Sequence, residues 1–423
     1  MRTTLPVLLA AATAALTLAA CGSDPDSSRL AGHETVIETI GDTTVVRTLS
    51  GSVWGAEGTL IPETSIGELD GPEEYLFGRI WSIAVGVDWN VYVLDEQAQH
   101  VQVYDSAGTH VETLGGRGEG PGKFSRAEAI ALLPDGRLVV RDPGNMRVQV
   151  FGPGPEERDE WRYDAGNNYG MSPLQTDRLG RTFLLARDFS RTDFVMQLVV
   201  LGPDGTTLNT LPQPSSSYEQ ATLRAEYSSR SGYGSASQNV PFSPRFVWTV
   251  HPDGRFLTGI SSEYQIHVPH DDGVLRIERA YDAVPISDGE RDYQLERITR
   301  VMRNTDPDWS WNGPQIPDHK PFFRALRVGR DGRIWVRLWT EGQAIENEDY
   351  DPDDPRSEPV LWREPIRYDV FEPDGTYLGV VRPPDEFTIL PIPVFHGDHV
   401  WAVTRDELGV QRVVRYRIVV GEE

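Results

Sequence analysis

Ile80–Phe124 reads IWSIAVGVDWNVYVLDEQAQHVQVYDSAGTHVETLGGRGEGPGKF. Four short apolar-alternating runs, Trp81–Val85, Val91–Leu94, Val101–Tyr104 and His110–Leu114, are separated by turn residues. Successive side chains of a strand point to opposite faces, so period-two alternation marks strands. The stretch therefore predicts a four-stranded antiparallel meander, and a glycine-rich crossing loop follows it.

The unit recurs. Asp95 in VYVLDEQAQHVQVY returns as Asp142 in LVVRDPGNMRVQVF, 47 positions on, and as Asp188 in FLLARDFSRTDFVMQLVV. Weaker copies are RFLTGISSEYQIHV, RIWVRLWT with PIRYDVFEPDGTYLG, and HVWAVTRDELGVQRVVRYRIVV. Such spacing is that of propeller blades. Six first-hairpin turns are found, from Val87–Asn90 to His396–Asp398, but only five second hairpins. The last unit stops after its third strand, Val413–Val420, so a strand from the start of the domain must complete it. Thr64–Ile66 is the candidate, because Glu63–Phe77 resembles His110–Phe124; the hairpin Thr35–Ile40 and Thr43–Leu49 is the other. The units resemble the NHL-repeat family, most closely at Asp142-x-x-Asn145-x-Arg147-Val148-x-Val150-Phe151. That resemblance implies a six-bladed β-propeller. In it Asp95, Asp142 and Asp188 are expected to hold turns between second and third strands.

Composition agrees with an all-β fold and narrows the partners. The 423 residues include 40 Gly, 31 Pro, 11 Trp and 15 Tyr, a profile of frequent turns and β-favouring aromatics. A net charge of −24 repels phosphate backbones, so nucleic acid is excluded as a partner. The lone cysteine, Cys21, follows a basic start and an apolar run from Leu5 to Ala20. Residues 1–20 read as an export signal. Leu18-Ala19-Ala20-Cys21 resembles the lipobox of bacterial lipoproteins, which implies lipidation and cleavage at Cys21. Residues 21–33 would then be the lipidated cysteine and a polar tether. Gly22 resembles the residue that follows the cysteine in lipoproteins of the outer membrane, if the cell has two membranes. Residues 34–423 are the expected propeller domain.

Three segments overrun a regular blade: 213–244, 287–321 and 341–361. All are blade-to-blade or second-to-third-strand connections, which lie on one face of a ring of meanders. Insertions confined to one face of a repeat protein often mark its binding side; neutral loop growth tolerated at a surface is the alternative. The middle one predicts a helix, opened by the capping box Ser287-x-x-Glu290, with Leu295, Ile298, Val301 and Met302 on its apolar side. Candidate ligand contacts are Trp309 and Trp311 in the middle insertion and Tyr218, Tyr227 and Tyr233 in the first, since aromatic faces stack on sugars or line peptide grooves. Packing of the insertions onto themselves is the alternative.

An arginine recurs at the end of the second strand: Arg141, Arg187, Arg337 and Arg405. Several guanidiniums at one channel mouth would form a carboxylate or phosphate site. Pairing with the neighbouring Asp142, Asp188 or Asp406 is the architectural alternative. No metal is expected: His267-x-x-His270 and His396-x-x-His399 lack a third ligand, and Glu346–Glu358 lacks the spacing of a calcium loop, though calcium is the one cofactor it invites. Nucleophile-elbow and phosphate-loop motifs are absent. The reading is an envelope-anchored lipoprotein that binds a peptide, glycan or protein partner at the insertion-bearing face. One alternative is a metal-dependent propeller hydrolase or lyase, lactonase- or esterase-like, because propellers of related shape include such enzymes. The other is a structural subunit of an envelope complex.

Overall fold

The computed structural model describes residues 32–152, 154, 157–163, 173–188, 190, 195–229, 232–354 and 357–421. Cys21 and the leader lie outside these residues. The quoted stretch forms the expected meander, Ile80–Val85, Val91–Asp95, His100–Tyr104 and His110–Gly115, each strand antiparallel to the one before. Its alternation has a physical reason. Val91 and Val93 pack with Trp401 and Val403 on one side, while Leu94 and Val101 pack with Ile130 and Val140 on the other. Both faces of the sheet are buried, so both sets of alternating residues are apolar.

Further four-stranded antiparallel units follow. The second is Ala129–Leu132, Leu138–Asp142, Arg147–Phe151 and Arg158–Trp161; the third is Gln175–Thr176, Thr182–Arg187, Met196–Leu201 and Thr207–Pro212. The fourth is Phe246–Val250, Phe256–Ile260, Gln265–His270 and Gly273–Arg279, and the fifth is Phe323–Val328, Ile334–Leu338, Tyr368–Phe371 and Tyr377–Arg382. A sixth has Val394–His396, His399–Arg405 and Gln411–Val420, and Gly58–Ile66 supplies its fourth strand, antiparallel to Gln411–Val420 with Thr64 opposite Arg415. Their first strands gather around one central cavity, a propeller-like arrangement.

The N-terminal hairpin, Glu34–Ile40 and Thr43–Ser50, does not supply that closing strand. It extends the fourth unit, Thr43–Ser50 running parallel to Gly273–Arg279. Between the two attachments the chain crosses the fifth unit, where Val53 N and Trp54 N donate to Tyr377 O and Leu378 O. The segment thus ties three consecutive outer edges together and covers backbone groups that would otherwise be free to pair elsewhere.

Asp95 accepts backbone N–H bonds from Gly78, Arg79, Gln97 and Ala98. Asp142 accepts from Ser125, Arg126 and the Asn145 amide. Each carboxylate therefore holds its own turn and also the crossing loop that enters its unit. Asp188 accepts from Ser190.

The insertions build one cap. The first contains the ribbon Thr222–Ser229 with Gly232–Asn239, and the second the helix Asp288–Arg303. The third contains the ribbon Gln343–Glu346 with Val360–Arg363, between the second and third strands of the fifth unit. Leu223, Ala225, Ile298, Met302 and Trp309 share a core, and Arg300 pairs with Glu358. Two details differ from expectation. Ser287 Oγ accepts from Glu290 N at 3.3 Å, but the Glu290 carboxylate turns to Lys320 Nζ at 2.6 Å instead of closing the capping box. Leu295 is 40% exposed, because the buried stripe centres on Ile298 and Met302 and Leu295 falls outside it.

Candidate ligand cavity among the inner strands

The central cavity holds about 500 Å³. Its walls come from the first strand of every unit: Ile83 and Val85, Ala129 and Ala131, Gln175, Trp248 and Val250, Val328, and Val394. An inner strand flanked by small or β-branched residues leaves room at the axis, and the lining is mainly apolar. Three charged side chains line it, Glu128, Arg327 and Arg330.

The end bearing the tight turns is crossed by guanidiniums. Arg330 Nη1 donates to Val85 O at 2.5 Å, linking the fifth unit to the first. Arg178 pairs with Asp253 at 2.5 Å and donates to Asp331 O at 3.5 Å, linking the third, fourth and fifth. The other end, where the inner strands begin, adjoins the cap. The strand register brings Arg327 opposite Trp335, and Arg337 opposite Ala325 and Tyr368. Period two then sets Arg327, Arg337 and Tyr368 on one face of the fifth sheet, in adjacent rows. That face looks toward the sixth unit, since Phe395 stacks on Trp335 at 4.4 Å.

Arg245 and Arg324 join them. Arg245 Nη2 donates to Arg324 O at 2.6 Å, and its Nε is buried without a partner. Arg324 pairs with Glu364 at 2.6 Å and lies 3.9 Å over the Trp339 ring. A register shift between Phe323 and Ala325 takes Arg324 out of the alternation, which lets it reach the cap side. Burial lowers the Arg327 pKa. Burial and the neighbouring Arg324, Arg327 and Arg245 bring Arg337 down to about 10, with Tyr368 opposing. Burial, then Arg324 and Arg327, lowers Arg245 as well. A guanidinium keeps its charge at neutral pH. Arg327 and Arg337 have no ion pair among the described residues; Arg327 donates only to Leu326 O at 2.8 Å.

Across the cavity wall of the second unit, Glu128 lies 3.2 Å from Arg126 and beside Arg141. Burial raises its carboxyl pKa, and Arg141 and Arg126 draw it back. Arg141 is 1% exposed, and its Nε and Nη2 have no partner. Of the four recurrent arginines, Arg337 stands in the guanidinium cluster and Arg141 stands beside Glu128. Arg187 ends the second strand of the third unit opposite Met196, and Arg405 is exposed at the rim of the sixth. The expected Arg141–Asp142 and Arg405–Asp406 pairings do not form among the described residues. Asp142 is filled by backbone and Asn145 donors, and Asp406 pairs with Arg412 at 2.6 Å. Arg245, Arg324 and Arg327 were missed from the sequence. The available signal was two arginines in one inner strand, FRALRV, where the corresponding first-unit strand reads IWSIAV.

The aromatic candidates separate. Trp309 is 3% exposed, packed in the cap core, and its indole donates to Arg224 O at 2.8 Å. It is spent on packing and offers no face to a ligand. Trp311 is half-buried, 6.3 Å edge-on to Trp309, with its N–H on Pro314 O. Tyr218 is half-buried. Tyr227 and Tyr233 are 46% and 67% exposed and lie on opposite faces of their ribbon, since Tyr227 is opposite Gly234 and Tyr233 opposite Ser228. The five therefore do not form one stacking platform. His396 and His399 are strand partners, and His399 packs on Trp89 at 4.6 Å. Among the described residues no group of three or more His, Cys, Asp or Glu could hold a metal.

No protein-family model and no curated protein matches the chain. Among solved structures it is similar to a DUF4221-family member from Bacteroides vulgatus, with 10% identity and a TM-score of 0.48, covering 86% of this chain and 99% of that one. It is also similar to a gluconolactonase from Xanthomonas campestris, with 13% identity and a TM-score of 0.36, covering 80% and 86%. A third is virginiamycin B lyase from Staphylococcus aureus, with 10% identity and a TM-score of 0.37, covering 80% and 95%.

Proposed function

We propose that this chain is a binding protein of the cell envelope, a six-bladed NHL-like propeller tethered to the outer membrane through lipid on Cys21, that takes a small organic or peptide-terminal ligand at its insertion-bearing mouth. One observation carries the reading. A cavity of about 500 Å³, mainly apolar with a few charged groups, opens among the inner strands of a ring whose one side carries the cap. That volume and lining are those of a small-ligand site. The cap supports it, because chain added on that side is packed into an ordered core and not left as loose loops.

The test fills the cavity. Ala131 lines its wall next to the core shared by the second and third units, and Ala131→Trp would crowd the cavity from that side. Fractions of an envelope extract are applied to the unaltered protein and to this variant while unfolding is followed by heat. A ligand at a hundred times its Kd stabilises by about 2.7 kcal/mol. At least one fraction is expected to stabilise the unaltered protein and not the variant. Equal stabilisation of both, or none in any fraction, would reject the cavity as the site.

A further inference from the structure

The guanidinium cluster around Arg327, which lines the cavity, has more positive charge than the described residues around it neutralise, in a chain whose net charge is −24. The carboxylates shown beside the cluster among the described residues are already committed. Glu364 serves Arg324 and Lys320, and Lys320 also holds Glu290 at 2.6 Å. Arg327 lines the cavity, and Arg337 and Tyr368 occupy the adjacent row of the same sheet face. Tyr368 is buried. Desolvated like charges are costly, so a fold keeps them where an opposite charge arrives from outside.

Resting on the cavity reading above, we propose that Arg327 and Arg337, with the Tyr368 hydroxyl, form a subsite for the carboxylate of an amphipathic ligand whose apolar body enters the cavity. Planar guanidinium forks suit a carboxylate. Trp81, Ile83, Leu174 and Trp248 supply the apolar wall for the body of the ligand. The carboxylate replaces water at the cluster and supplies the counter-charge that Arg327 and Arg337 lack. Arg245 and Arg324 act at longer range by raising the local positive potential. Specificity follows from the geometry: an acid is selected over an alcohol or an amine of the same shape.

The experiment uses the full chain in lipid nanodiscs, with empty nanodiscs as the blank, and three water-soluble probes of one shape. They are 4-phenylbutyrate, 4-phenylbutanol and 4-phenylbutylamine, measured by calorimetry. The acid is expected to bind at least tenfold more tightly than the alcohol, and the amine more weakly than either. Arg327→Gln and Arg337→Gln should each lower acid affinity about tenfold, leave the alcohol unchanged and leave the melting temperature unchanged or raised. Equal binding of all three probes, unaffected by either variant, overturns the carboxylate subsite and leaves the cavity reading standing. Binding of none of the three overturns the cavity reading and the subsite with it. Should a variant fail to fold, the acid-to-alcohol ratio of the unaltered protein still decides the matter.

Discussion

Tyr368 and Asp369 are neighbours on one strand but face opposite sides of the fifth sheet, and the two sides handle charge in opposite ways. On the side toward the fourth unit, Asp369 is fully buried and takes bonds from Tyr377 Oη at 2.8 Å, Arg279 Nη1 at 2.6 Å and the Tyr264 hydroxyl. Donor and acceptor are matched within the protein. On the side toward the sixth unit, Arg327, Arg337 and Tyr368 stand together, and the two arginines have no ion pair among the described residues. A closed network serves the architecture, whereas an open one of the same residue types awaits something. The difference teaches that arginine content says little about function until the partners are counted.

The comparison can be broken by measurement. Asp369→Ala strands Arg279 in the seam between units and should cost about 4 kcal/mol in urea unfolding. A loss under 1 kcal/mol would mean that the closed side is not structural. Lys320→Met removes the cation shared by Glu290 and Glu364 where the helix meets the ring. It should cost about 3 kcal/mol, read as faster amide exchange in Asp288–Arg303 and the Thr222–Ser229 ribbon while the inner strands stay protected. Uniform loss of protection would show that cap and ring are one cooperative body.

Asp95→Ala leaves four backbone N–H groups without their acceptor and should cost about 2 kcal/mol. Disfavour of unmatched positive charge extends to His251, whose pKa burial lowers below 6.5 while Asp253 partly opposes. Its Nδ1 accepts from Asp253 N at 3.1 Å, a bond that protonation would break. The unfolded imidazole takes up its proton near pH 6.5 and the folded one only at lower pH. This contribution to stability is therefore complete above pH 6.5 and is lost as pH falls from there toward the folded pKa, at about 1 kcal/mol per pH unit. His251→Gln should make the urea midpoint less pH-dependent between pH 6.5 and 5.5; an unchanged slope would count against it. The smallest effect is expected on the open side. Arg337→Gln should alter stability by less than about 0.5 kcal/mol or raise it, because it relieves repulsion. A loss above 2 kcal/mol would make that arginine structural and erase the contrast.

The repeat was legible because strand alternation and tight-turn glycines are local. Asp95 and Asp142 could be assigned to turns from their place after the second strand, though the crossing loops they also hold are distant in sequence. The insertion sites were legible as departures from a regular length. Trp309 was misleading, since an aromatic beside Asp and Asn reads the same in sequence whether its face is offered or packed. The N-terminal hairpin was ambiguous for a similar reason. A strand shows which residues alternate but not which sheet edge will take it.

The sequence by itself determined the meander, its recurrence, the sign of the total charge and the places where chain was added. These depend on periodicity, composition and spacing, which need no partner. Only the tertiary structure decided which arginines are neutralised. Arg245, Arg324, Arg327 and Arg337 are spread over 93 positions of chain and meet because the start of the fourth unit's inner strand lies against the inner and second strands of the fifth. Charge balance there is a property of distances between units, and such distances exist only once the units have closed around the cavity.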